Sequence, residues 1–129
     1  MRMILSAIIV LMAIIDMVIG IGFFLDPARS AVNFGLAPDG AMGRSALRAD
    51  FTAFFTVAAG FMAWGAWRRR GDLLAAPLAL FAVAFTGRLV NLLVVGTYDG
   101  WWQPMAVEMA HVLVLVLAIR RWPWRGAGI

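Results

Sequence analysis

Residues 73–96 read LLAAPLALFAVAFTGRLVNLLVVG, an apolar run that nevertheless carries one arginine, Arg88, and one asparagine, Asn91. It exceeds the roughly eighteen residues that mark a spanning helix. Three further runs of this kind lie at 3–25, 47–67 and 101–121. The predicted fold class is therefore an all-α integral membrane protein: one transmembrane domain over 1–129, built as an antiparallel four-helix bundle.

The composition points the same way. Of 129 residues, 64% are hydrophobic and 14% charged, with a mean hydropathy of +0.89. Soluble domains hold roughly half apolar residues. A formal charge of +4 is compatible with nucleic-acid binding, but all 11 basic residues are arginines and most fall at span ends. A membrane accounts for them, and no nucleic-acid partner is expected. With no cysteine in the chain, disulfides, thiolate catalysis and cysteine-ligated clusters are excluded. The first 25 residues resemble a signal peptide in having Arg2 before an apolar core. The run is longer than a normal signal-peptide core, contains Asp16 and has no convincing small-x-small cleavage site directly after it, so it reads as the first spanning helix.

Cytoplasmic loops carry the excess of arginine. Arg2, Arg68, Arg69, Arg70, Arg120, Arg121 and Arg125 fall on one side, against Arg29, Arg44 and Arg48 on the other. This places both termini inside. In the link RRRGD, Gly71 is expected to close the second helix in a left-handed conformation and Asp72 to cap the third. The long outer link holds DPARSAVNFG, residues 26–35. Asp26 as N-cap, Pro27 at the first helical position and Gly35 as stop predict a short helix on the bundle's outer face. Before the fourth span, Asp99-Gly100 is turn chemistry, and Tyr98, Trp101 and Trp102 suit a water–lipid boundary; Trp122 and Trp124 are expected at the opposite one. Small residues on the second span, Ala49, Ala53, Ala59, Gly60 and Ala63, suggest close helix packing.

The remaining polar residues share one layer. At 1.5 Å per residue from the outer ends, Asp50 lies about 5 Å down, Asn91 about 8, Glu108 about 10, Arg88 about 12, Asp16 about 13 and His111 about 15 Å. Ser6 and Thr56, in the inner half, are expected to bond their own helix backbones. A central arginine or aspartate costs about 2.5–3.5 kcal/mol on insertion scales, so such groups are expected to pair. Arg88 and Asn91, like Glu108 and His111, are i,i+3 neighbours, with small Ala84 and Gly87 beside Arg88. Arg88 should therefore point inward and meet Glu108 or Asp16, with Asn91 and His111 completing the network. Such a layer either fixes which helix faces which, or lines a pocket for a small lipophilic molecule. Arg88, Glu108, Asp16, Asn91, His111 and Asp50 are the pocket candidates.

Sharper chemistry lacks its parts. Residues 108–111, EMAH, have the spacing of a di-iron ligand pair, but such bundles need a second copy and more carboxylates. A single histidine excludes bis-histidine haem, and the methionines read as core filler. Nucleophile triads, phosphate loops and zinc spacings are absent, so no catalytic residue, metal or required cofactor is assigned.

The motifs LRAD at 47–50, Gly87-Arg88, YDGWWQP at 98–104 and Glu108, with DPARSAVNFG, resemble an uncharacterised bacterial four-helix membrane family related to the DoxX-like proteins. The likeness runs over roughly 27–121 and departs at Asp50, Phe51 and Thr52, where that family usually has a glycine pair. It implies a bacterial cytoplasmic (inner) membrane, with Arg48, Arg88, Gly100 and Glu108 as recurring polar and turn positions. DoxX-like relatives are loosely associated with quinone-linked redox complexes. The expected function is to bind a lipid- or quinone-like molecule in the outer-half pocket, or to serve as accessory subunit of a membrane complex. Alternatives are a proton-coupled transporter working as a homodimer, with Asp16 or Glu108 as the coupling carboxylate, and a purely structural subunit.

Overall fold

The computed structural model describes residues 1–124; Arg125, counted above among the inner arginines, lies outside them. Five α-helices follow one another: α1 (Arg2–Leu25), α2 (Pro27–Val32), α3 (Gly40–Arg68), α4 (Ala75–Val94) and α5 (Trp102–Arg121), with a 3₁₀ turn at Asp72–Leu74 leading into α4. No strand occurs among the described residues. Helix α1 packs on α3, α3 on α4, α4 on α5 and α5 back on α1, a ring compatible with a four-helix bundle.

The buried residues explain the packing. On α1 they are Leu5, Ile9, Ala13, Asp16, Gly20 and Phe23, and on α5 Met105, Glu108, His111, Leu115 and Ala118. Both sets recur every three or four residues, the stripe of one helix face. The opposite faces are apolar too: Ile4, Leu11, Ile15 and Val18 on α1, and Val107, Leu113 and Leu117 on α5, are exposed. Oily residues both inside and out suit an apolar solvent. The four helices Arg2–Leu25, Gly40–Arg68, Asp72–Val94 (including the 3₁₀ turn) and Trp102–Arg121 are long and apolar enough to cross a membrane, which suggests a multi-pass membrane protein.

Several local expectations change. Helix α3 starts at Gly40, well before position 47, because its first turns carry exposed Arg44, Ser45 and Arg48. Hydropathy reports oily length and not helical length, and the 29 residues of α3 run about 43 Å. Arg69, not Gly71, takes the left-handed conformation closing α3 (φ 50°, ψ 48°). Gly71 has φ −68° and is small for another reason: a Cβ there would come within 3.1 Å of the Trp122 carbonyl oxygen. Its N–H donates to the Pro123 carbonyl at 3.1 Å. Asp72 does not cap the turn but accepts from Arg70 Nε at 3.1 Å. That hydrogen bond raises the already high Arg70 pKa.

The tightest helix approach lies at Gly20 of α1, where a Cβ would meet Thr56 Cγ2 at 2.7 Å, and at Gly65, pressed on Leu74. Of the small residues singled out on the second span, only Ala59 is buried. Thr56 does bond its own helix, to the Thr52 carbonyl at 2.6 Å, whereas Ser6 reaches across to the Ala66 carbonyl at 3.5 Å. Trp122 is buried in the core; Trp124 is exposed.

The short helix after α1 forms as its signals predict. Asp26 accepts from the Arg29 N–H at 3.1 Å, Pro27 opens the helix, and Gly35 follows it at φ +68°. Here α2 sits on α1 and α3, and it delivers Phe34 into a cluster with Phe23, Phe51 and Phe55.

Candidate functional site

Helix α5 supplies both halves of the polar layer, because Glu108 and His111 lie three residues apart on its buried face. They turn toward different neighbours. Glu108 Oε1 accepts from Arg88 Nε of α4 at 2.7 Å. His111 Nε2 lies 3.0 Å from Asp16 Oδ2 of α1. Of the two carboxylates expected to meet Arg88, only Glu108 does, since α5 separates α1 from α4 around the ring.

The His111 pair is closed. Its Nδ1 lies 2.8 Å from the Val107 carbonyl, which only accepts, so Nδ1 carries a hydrogen. Nε2 faces the Asp16 carboxylate, so both ring nitrogens are engaged. The imidazole stacks on Phe81 with ring centroids 3.9 Å apart. Both polar side chains are buried and each has a partner.

The Arg88 pair is open. The Arg88 side chain is 34% exposed and that of Glu108 10%. Only Nε of Arg88 engages Glu108, so the terminal N–H groups are available as donors. Glu108 Oε2 is buried without any hydrogen-bond partner. Leaving a buried charged acceptor unmatched costs upward of about 1–3 kcal/mol.

Two cavities meet at this pair. One, of about 320 Å³, is lined by Ala84, Gly87, Arg88, Asn91, Tyr98 and Glu108. The missing bulk of Ala84 and Gly87 makes the hollow: a Cβ at Gly87 would touch nothing within 4 Å. The other, of about 300 Å³, is walled by Phe34, Phe51, Phe54 and Phe55, and it is bounded by Asp50, Ala84, Arg88 and Glu108. The combination of an apolar aromatic wall and a few convergent polar groups is how small-molecule sites are built.

Of the six sequence candidates, Arg88 and Glu108 therefore sit at the centre, Asn91 and Asp50 line one cavity each, and Asp16 with His111 forms a separate buried pair. Asn91 is exposed and joins neither pair. The phenylalanine wall was not singled out from sequence, although Phe51, Phe54 and Phe55 stand at i, i+3 and i+4 on one face of α3. Arg48, exposed at the start of α3, donates to the Phe24 carbonyl at 2.9 Å and so ties down the end of α1. The described residues contain no group of three or more His, Asp or Glu side chains able to hold a metal ion.

These features describe an all-helical chain with four helices able to cross a membrane and an open polar pair between two cavities. No protein-family model, curated protein or solved structure matches the chain.

Proposed function

We propose that this chain is an antiparallel four-helix protein of the bacterial cytoplasmic membrane, with both termini inside, that binds a small lipophilic molecule at Arg88–Glu108. Support for the placement comes from the arginine asymmetry of the links and the oily outer faces of the helices. The relation to DoxX-like proteins belongs to the same proposal, with a lipid or quinone as the occupant and an accessory role in a membrane complex as the setting. A polar end of the ligand meets Arg88 and Glu108, and its apolar body takes the phenylalanine-lined cavity.

The observation that carries this reading is the junction of both cavities at a half-open ion pair whose buried Glu108 oxygen lacks a donor. A pair serving only to hold helices together would be closed, as Asp16–His111 is. The test is native mass spectrometry of the gently solubilised protein beside a folded Arg88→Leu variant. A lipid or quinone mass retained by the parent and lost from the variant is expected. An empty parent, with a variant that only melts earlier, would assign the arginine a structural role.

The burial of two ionisable side chains, Asp16 and His111, inside the helices supports a second reading, a proton-coupled transporter working as a dimer. Proton-linked uptake into vesicles that vanishes in Asp16→Asn would establish it over the first.

A further inference from the structure

The hydrogen-bond polarity of the site says more about the ligand than its volume does. Resting on the binding role proposed above, we infer that the site selects a neutral ligand whose polar end is a hydroxyl on an apolar, ring-sized body, in preference to an ether, a carbonyl alone or an anion. The unmatched group is Glu108 Oε2, which only accepts, so the ligand must bring a donor. The terminal nitrogens of Arg88 only donate, so the ligand must also bring an acceptor. A single hydroxyl is both: its hydrogen goes to Glu108 while its oxygen takes an N–H of Arg88.

Charge excludes the anion. The aromatic cavity is bounded by the carboxylates of Asp50 and Glu108 against the one guanidinium of Arg88, so an ionised carboxylate or phosphate would meet net negative charge. The phenylalanine wall suits a ring, which packs on aromatic faces and edges. Oε2 is covered in the unliganded site, and hydroxyl binding requires the carboxylate to turn about its broad terminal torsion as the ligand enters.

The same logic reverses in a variant. In Glu108→Gln the amide oxygen takes Arg88 Nε, and an NH₂ donor replaces the acceptor at Oε2. A hydroxyl then gains nothing over an ether oxygen.

The test is equilibrium dialysis of 4-hexylphenol and its methyl ether, 4-hexylanisole, against the full-length protein in one detergent. The two differ only at the oxygen. The expected result is retention of the phenol on the order of tenfold or more over the ether by the parent, since a hydrogen bond to a charged group is worth about that much. The preference should fall toward parity in folded Glu108→Gln, and micelle partition cancels between the two proteins. Equal binding of phenol and ether by the parent overturns hydroxyl selection while leaving ligand binding intact. Binding of neither overturns both. An unchanged preference in folded Glu108→Gln also overturns the inference; should that variant not fold, the parent comparison decides it once the retention of each compound by protein-free micelles is subtracted.

Discussion

Two acid–base pairs lie one helical turn apart on α5, and they differ in burial and in how completely their polar atoms are matched. Asp16–His111 is closed: its side chains are 3% and 5% exposed, Phe81 covers the imidazole, and both ring nitrogens have partners. Arg88–Glu108 is open on two sides, with spare donors on the arginine and an unmatched oxygen on the glutamate. Both pairs join two helices, Asp16–His111 across 95 residues of chain and Arg88–Glu108 across 20. What differs is the neighbour. Bulky Phe81 fills the space beside His111, whereas Ala84 and Gly87 leave space beside Arg88. Small residues beside a buried ion pair leave it open, where a bulky neighbour closes it.

The contrast can be broken most forcefully at the closed pair. His111→Leu strands the Asp16 carboxylate among apolar side chains and is expected to cost about 3 kcal/mol or more, measured by unfolding in detergent. Adding Asp16→Leu should recover most of that loss, because two apolar groups replace a matched pair. A double variant no more stable than the single one would show that the pair does more than join α1 to α5.

Next is the helix contact that positions α1 beside α3. Gly20→Ala places a methyl group 2.7 Å from Thr56 Cγ2 and 3.1 Å from the Thr56 nitrogen. An overpacking cost of about 1–3 kcal/mol follows. Thr56→Ser, which removes Cγ2, should restore part of it in the double variant; strict additivity in the thermal melts would refute the clash.

At the open pair the expected signature is different. Joint replacement by Arg88→Leu and Glu108→Leu removes both charges, so stability should change little, within about 1 kcal/mol. Retained ligand, read by native mass spectrometry, should disappear. If the double variant instead unfolds, this pair is scaffold like its neighbour.

The smallest effect is expected at Arg70–Asp72, on the turn between α3 and α4. Asp72→Ala should shift the melting temperature by an amount that shrinks further in high salt, because both side chains are partly exposed and their attraction is screened. A large, salt-independent shift would mean that the turn itself depends on the pair.

Much of this molecule was legible from residue order alone. Four apolar runs predict four long helices, because oily length is a property of consecutive residues. Asp26, Pro27 and Gly35 predict the short helix, because caps and stops act within one turn of chain. Arg88 was expected to be paired, since an isolated charge in such a run is costly.

Tertiary structure decided the rest. Whether Arg88 meets Glu108 or Asp16 depends on which helices are neighbours in the ring and how each is rotated about its axis, and hydropathy is blind to rotation when every face is oily. The aromatic cavity needs Phe34 from the link between α1 and α3 to reach Phe51 and Phe55 on α3, a meeting across the chain that no local period encodes. The unmatched oxygen of Glu108 is likewise a fact of three dimensions, because a hydrogen bond is lost or made by the position of neighbours and not by the residue that offers it.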